Sequence, residues 1–403
     1  ERTGVTVDED ALCQAVLRAV GQGQTRIEAP CSVQEPALTE EALRARHRLL
    51  GTFTTSFAKS PHNAENRVFN IRKAAAAIEG SKSFAKSLME KYGIPTASCR
   101  VFDDYESALG YVRGVGRYPT VIKADGLALG KGVVIAQDFE AAKTALDEMM
   151  RGGRFGKSGE RVVIEEYLEG PEVSVLAFTD GETVVPMVSS MDHKRALDGD
   201  EGPNTGGMGT VAPNPFYTPA VAEACMERIF LPTVRAMKAE GRPFRGCLYF
   251  GLMLTKDGPK VIEYNCRFGD PETQVVLPLL ESDLLAIMRA CASGTLSAEQ
   301  VVFRRGAACC VILASDGYPG KYEKGYEITV PAGLDAVVYH AGSALKDGRL
   351  VTAGGRVLGV TATGGTLEQA VERAYAAADR VHFQNAYCRR DIGQKALQQK
   401  GRS

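Results

Sequence analysis

The chain has 403 residues, 44% of them hydrophobic and 24% charged, with 48 Lys and Arg against 49 Asp and Glu for a formal net charge of −1. At roughly 150 residues per domain this length supplies two or three cores, and the composition excludes disordered and collagen-like chains. Nearly cancelled charge gives no bulk attraction to nucleic acid or an anionic membrane, and the longest apolar run, Ala307 to Ala314, is far short of the roughly 20 residues that span a bilayer.

In chain order, Asp8 to Val20 reads as a helix with acids at its start and Gly21 after it. Leu38 to Leu50 reads as a second, with Thr39 as N-cap and Glu40 and Glu41 in the first turn. The polar stretches between and after them show no period-2 strand and no GxGxxG loop. No signal-peptide pattern precedes them, and the sequence starts at Glu1 rather than Met.

From about Ile71 the pattern becomes mixed α/β. Ser81 to Tyr92 reads as a helix closed by Gly93, with Phe84 and Leu88 on one face. Pro119 to Ala124 and Gly132 to Ala136 read as strands around a glycine loop. Asp138 caps a helix that puts Ala142, Leu146 and Met149 on one side and ends at Gly152; Arg161 to Leu168 is strand-like. Asp180-Gly181 and Asp257-Gly258 read as hairpin turns. Thr218-Pro219 starts a long helix that Pro232 kinks or divides. Tyr326 to Val330, Val337 to His340 and Arg356 to Thr361 read as strands, and Thr366 to Val381 as a closing helix.

The ten cysteines form no CxxC pair and most sit in apolar stretches, which suits reduced core thiols better than a disulfide or zinc framework. Among the five histidines there is no HExxH, and no GxSxG or Ser-Asp-His arrangement appears.

Four constellations carry chemistry. Lys123-Ala-Asp-Gly-Leu-Ala-Leu-Gly-Lys-Gly132 joins two strands, so its amides and lysines suit phosphate oxygens. It lacks the Walker A order and strand-to-helix setting, and equally fits a glycine-rich hairpin with solvated lysines. In Val261-Ile-Glu-Tyr-Asn-Cys-Arg267, strand alternation places Glu263, Asn265 and Arg267 on one face. A carboxylate and an amide oxygen suit magnesium, and a guanidinium suits a carboxylate or phosphate. Asp192-His-Lys-Arg195 followed by Asn204-Thr-Gly-Gly-Met-Gly209 suits a loop over an anionic substrate, or a mobile surface loop. Glu165-Glu-Tyr-Leu168 and Glu172 suit contacts to an adenine ring and a ribose.

In this order, together with Glu79-Gly-Ser-Lys82 and Arg267-Phe-Gly-Asp-Pro-Glu-Thr-Gln274, these motifs resemble the ATP-grasp ligases, and among them the phosphoribosylamine–glycine ligase family. Gly354-Gly-Arg-Val-Leu358 and Tyr387-Cys-Arg-Arg-Asp-Ile-Gly393 resemble that family's carboxy-terminal domain. The resemblance spans about Ala74 to Leu397. It implies an α/β (α+β) fold: an ATP-grasp core (74–118 and 186–318), a lid subdomain (119–185) and a strand-rich C-terminal domain (319–403). It also implies ATP-dependent joining of glycine to 5-phosphoribosylamine through a glycyl phosphate, the alternative being an ATP-binding protein of this fold that lacks ligase activity because the amino-terminal substrate-binding domain is missing.

By the same resemblance Lys82 and Lys123, with Gly126, Gly130 and Lys131, contact the ATP phosphates. Glu165, Glu166 and Leu168 take the adenine, and Glu172 the ribose. Glu263 and Asn265 hold Mg2+ or Mn2+. Arg267 holds the glycine carboxylate, with Asp192, Asn204, Gly206, Gly207 and Asp270 nearby. The implied partners are small molecules only, with neither nucleic acid nor membrane, for a cytoplasmic monomer or weak dimer. The family's Rossmann-like start, with its Gly-Gly-Gly-Gly-Arg-Glu-His type loop, has no counterpart in residues 1–73, so that domain is expected to be incomplete or replaced.

Overall fold

A computed structural model of the chain describes residues 4–7, 31–34, 77–126, 132–152 and 156–400. The helices expected at Asp8–Val20 and Leu38–Leu50, the state of the amino-terminal domain, and the loop residues Gly130 and Lys131 lie outside the described residues. The chain divides into two compact units. In the smaller, β1 (Gly4–Val7) and β2 (Cys31–Gln34) pair antiparallel, Gly4 opposite Gln34. Strands of four residues hold too few alternations to register as period-2 patterns, which is why β2 is absent from the sequence reading. The larger unit, residues 56–329 and 335–403, carries every other element described below.

Helix α1 (Lys82–Lys91) starts where Ser81 accepts the Phe84 amide, and it buries Ala85, Leu88 and Met89. Four strands follow in the sheet order β3-β6-β4-β5: β3 (Cys99–Phe102), β4 (Thr120–Ala124), β5 (Val133–Ala136) and β6 (Val162–Glu166). Helices α2 (Tyr105–Val115) and α3 (Phe139–Leu146) pack on one face over a core of Ala108, Val112, Ile122, Ala142, Leu146 and Ile164. The other face carries Lys123 and Glu165.

A second sheet has the order β14-β13-β7-β8, from β7 (Glu172–Thr179), β8 (Val184–Pro186), β13 (Gly246–Thr255) and β14 (Gly258–Asn265). β7 thus pairs with β13, and β8 with β7, rather than with the first sheet, whose strands end at Glu166. Val173, Val175, Phe250, Leu252, Val261 and Tyr264 fill the core on one face, against α1, α4 (Pro219–Cys225) and α5 (Leu231–Ala239). The two helices are one continuous rod joined by a π turn, Met226–Phe230. Pro232 brings no N–H to the ladder, and the turn widens just before it.

A third, six-stranded sheet runs β16-β19-β15-β12-β9, with β20 also on β15. It combines β9 (Met191–Asp192) and β12 (Gly209–Ala212) with β15 (Ala307–Ser315), β16 (Val337–His340), β19 (Arg356–Gly364) and β20 (Ala386–Tyr387), so chain ends distant in sequence share one ladder. The strand expected at Tyr326–Val330 is instead two isolated bridges, Glu327 to Val351 and Thr329 to His382. Its partners lie on different segments, and no continuous ladder forms.

Candidate functional site

The open face of the second sheet is set by register. Glu263 stands opposite Gly251 and Asn265 opposite Tyr249, while β7 brings Ser174 to Gly251 and Leu176 to Tyr249. The face is therefore apolar where Leu176 and Phe178 pack and polar where Glu172, Ser174, Glu263 and Asn265 project. Glu263 and Asn265 have no side-chain hydrogen-bond partner among the described residues. Their two hard oxygens fit magnesium, which completes its shell with water and phosphate oxygens. Consistent with so sparse a set, no cluster of three His, Cys, Asp or Glu suited to a metal occurs among the described residues. β14 ends at Asn265, and Arg267 lies in the bend beyond, 59% exposed, with Nε 3.4 Å from Glu79 Oε1. The face expected for three residues thus holds two.

Lysines from β4 and α1 gather beside this strand. Lys123 Nζ donates to the Ile262 carbonyl at 3.1 Å, next to Glu263, and lies 3.0 Å from Glu165 Oε2. Lys86 reaches the same oxygen at 3.2 Å. Glu165 is buried and its other oxygen, Oε1, has no hydrogen-bond partner among the described residues. Lys82 donates to the Gly126 carbonyl at 2.9 Å. Burial first, and the neighbouring Lys123 cation second, hold its ammonium below the usual lysine range. Asp125 locks the arrangement by accepting from the Ser83 amide at 2.6 Å and from the Ser83 hydroxyl at 2.9 Å, capping α1. Two ammonium groups on one buried carboxylate, with the Lys82 ammonium near Lys123, make a site that an anion relieves.

Around the site, Glu166 is exposed and accepts the Ser98 amide, and Leu168 is half-buried after the strand end. Glu172 pairs with Lys194 at 2.9 Å, and that cation holds its carboxyl below the ordinary range. Burial first, and then the Glu272 charge, push the Asp192 carboxyl up, while burial first and the Glu263 charge raise that of Glu272. Glu272 accepts from Tyr249 at 3.1 Å. Asn204 ends an exposed ribbon strand opposite Arg195. Gly206 donates its amide to Tyr318 and Gly207 donates to Thr205, so the glycine turn is tied down and its amides are spoken for. Asp270 pairs with Arg356 at 2.8 Å. Glu79, Lys86, Asp125, Lys194, Tyr249 and Glu272 received no role from the sequence. All but Lys86 and Tyr249 lie inside motifs quoted above, which is the signal that pointed to them.

Residues 80–273 match the family description "Phosphoribosylglycinamide synthetase, ATP-grasp (A) domain", and residues 308–395 match its C domain. A phosphoribosylamine–glycine ligase of Caldanaerobacter subterraneus is 50% identical over 327 residues, 81% of this chain and 78% of that protein. One from Halalkalibacterium halodurans is 51% identical over 333 residues, covering 82% and 77%. The crystal structure of the Thermotoga maritima phosphoribosylamine–glycine ligase aligns with a TM-score of 0.74 at 41% identity, over 80% of each chain. The biotin carboxylase domain of Hydrogenobacter thermophilus 2-oxoglutarate carboxylase shares the fold at TM-score 0.61 and 20% identity, over 85% and 76%.

Proposed function

The chain belongs to the phosphoribosylamine–glycine ligase family, and from that premise we propose that it joins glycine to 5-phosphoribosylamine. The products are glycinamide ribonucleotide, ADP and phosphate, a step of purine biosynthesis. The observation that carries the reading is the meeting of the crowded lysines with the strand bearing Glu263 and Asn265, through Lys123 and the Ile262 carbonyl.

A glycine carboxylate is a poor electrophile at neutral pH. When one of its oxygens takes the γ-phosphoryl group of ATP, ADP leaves and the carbon becomes an acyl phosphate. The amine nitrogen then attacks that carbon, phosphate departs, and the nitrogen loses a proton. Both steps need alignment and charge neutralisation more than a protein nucleophile. We assign Lys82, Lys123 and Gly126 to the phosphates, Glu165, Glu166 and Leu168 to the adenine, and Glu172 to the ribose. Arg267 receives the glycine carboxylate, with Asp192, Asp270, Asn204, Gly206 and Gly207 forming the surroundings. Glu263 and Asn265 would hold Mg2+ or Mn2+, which supplies positive charge against the phosphate oxygens.

In this reading residues 74–118 and 186–318 are the core and 319–403 a C-terminal domain. We take the lid, expected at 119–185, to rest on β4, β5 and β6, whose sheet is completed by β3 from the range 74–118, while β7 and β8 belong to the second sheet; the lid keeps water from the acyl phosphate. The eight cysteines with described side chains are free and pushed up by burial, which suits a reducing cytoplasm; we place the protein there as a monomer or weak dimer.

The test is ADP release that depends on glycine, measured with 5-phosphoribosylamine and magnesium present. Folded protein that releases none rejects the reading. Glu263→Ala is expected to lower turnover by about a hundredfold or more; undiminished turnover removes the metal assignment.

A further inference from the structure

No part of the reaction above falls to the motif Gly354-Gly355-Arg356, yet it reaches the site. Arg356 opens β19, and its guanidinium enters the glycine turn 150 residues earlier. Nη1 donates to the carbonyls of Gly206 at 2.8 Å, Asp270 at 3.0 Å and Gly207 at 3.4 Å, while Nη2 meets Asp270 Oδ2 at 2.8 Å. Only 18% of the side chain is exposed. Tyr318 grips the other pole of the turn, its hydroxyl accepting the Gly206 amide at 3.1 Å. The Tyr318 ring lies against Gly355, where a Cβ would stand 2.1 Å from Cδ2, so glycine alone leaves room for it. The Tyr318 carbonyl in turn accepts from the Tyr387 hydroxyl at 3.0 Å.

The gripped turn borders Asp192. Gly207 has φ +106°, and a Cβ built on it would come 2.5 Å from Asp192 Oδ1 and 2.5 Å from Pro271 Cδ. We propose that Arg356, seated by Gly355 and Tyr318, is a positioning residue for the ligation. It holds the Gly206–Gly207 turn and Asp270 together as one wall of the pocket that takes the carboxylate substrate. The inference rests on the ligase reading above. A planar fork with several donors satisfies acceptors on two chain segments at once, whereas a lysine ammonium on a flexible stem does not. Displacing a substrate-positioning wall by about 1 Å is enough to cost on the order of a hundredfold in rate.

The test compares the full chain with Arg356→Lys, Arg356→Ala and Gly355→Ala, recording thermal unfolding and steady-state kinetics with glycine and MgATP varied in turn. In Arg356→Lys the glycine KM is expected to rise about tenfold, with the ATP KM within about twofold of the parent and the unfolding midpoint retained. Gly355→Ala, which changes no charge, is expected to produce the same selective rise by moving the Tyr318 ring. Arg356→Lys decides if Arg356→Ala fails to fold. A folded Arg356→Lys with the parent's glycine KM and kcat overturns the inference, as does a parallel rise in both KM values. A parent chain without glycine-dependent ADP release overturns the ligase reading and this inference together; an active parent with an unmoved variant overturns this inference alone.

Discussion

His193 sits between two residues of the candidate site, Asp192 and Lys194, but its ring turns into the protein. Nδ1 donates to the Gly209 carbonyl at 3.1 Å and Nε2 accepts the Gly393 amide at 3.1 Å, so one ring proton satisfies both contacts. A second proton would meet an N–H at Nε2. Burial first, and the Arg389 cation next, push its pKa down to about 4 from the ordinary 6.5. Between those values the unfolded chain binds a proton that the folded chain refuses. This residue's contribution is therefore complete above about pH 6.5 and is lost as the pH falls toward 4, by on the order of 3 kcal/mol. Urea unfolding at a series of pH values, compared with His193→Gln, measures it. The variant is expected to show a shallower acid slope; equal slopes would contradict the assignment.

At the scale of elements, β6 shows how one alternating strand serves a core and a site. Val162 and Ile164 enter the core under α2 and α3, and Glu165, between Ile164 and the strand end, faces α1 and β4. Among the described residues it is the only carboxylate touching both Lys86 and Lys123, at 3.2 and 3.0 Å. Glu165→Gln leaves both ammonium groups buried without an anion, so a stability loss of about 3–5 kcal/mol is expected in chemical denaturation. Bound nucleotide should return part of it, since ATP at a hundred times its Kd adds about 2.7 kcal/mol to any form that binds it. A variant as stable as the parent would show that the carboxylate does not hold these lysines.

Across the whole larger unit, the C-terminal segment reaches back to the hairpin of residues 195–204. Arg389 is 1% exposed and pairs with Asp200 at 2.8 Å and Asp391 at 2.7 Å, while also donating to the Arg195 carbonyl at 3.0 Å. The Gly199 amide donates to Asp391, the Arg390 amide to Asp198, and Lys395 pairs with Asp200. Arg389→Ala leaves Asp391 without its cation and Asp200 with Lys395 alone, and is expected to cost about 1–3 kcal/mol of stability, read from denaturant midpoints. Because this hairpin leads into the Asn204–Gly209 turn, the same variant should also raise the glycine KM. Unchanged stability and kinetics together would sever the tail from the site.

Much of this was written locally along the chain. Ser81, Asp138 and Thr366 cap their helices as their positions suggest, and the Glu263–Asn265 alternation survives because strand period 2 needs only neighbouring residues. The Asp192-His-Lys and Arg267–Gln274 motifs likewise marked residues that do gather. Local pattern said nothing of where β14 stops, so Arg267 leaves the face it was expected to share. Nor did it reveal that Glu272 is buried against Tyr249, that β7 joins β13, or that Arg356 lies in the turn at Gly206. Caps, turns and alternation arise within about four residues of chain, whereas Arg356 and Gly206 meet only because β12, β15 and β19 are neighbours in one sheet. Such pairings are selected by burial of the whole core, a property that no short stretch of residues contains.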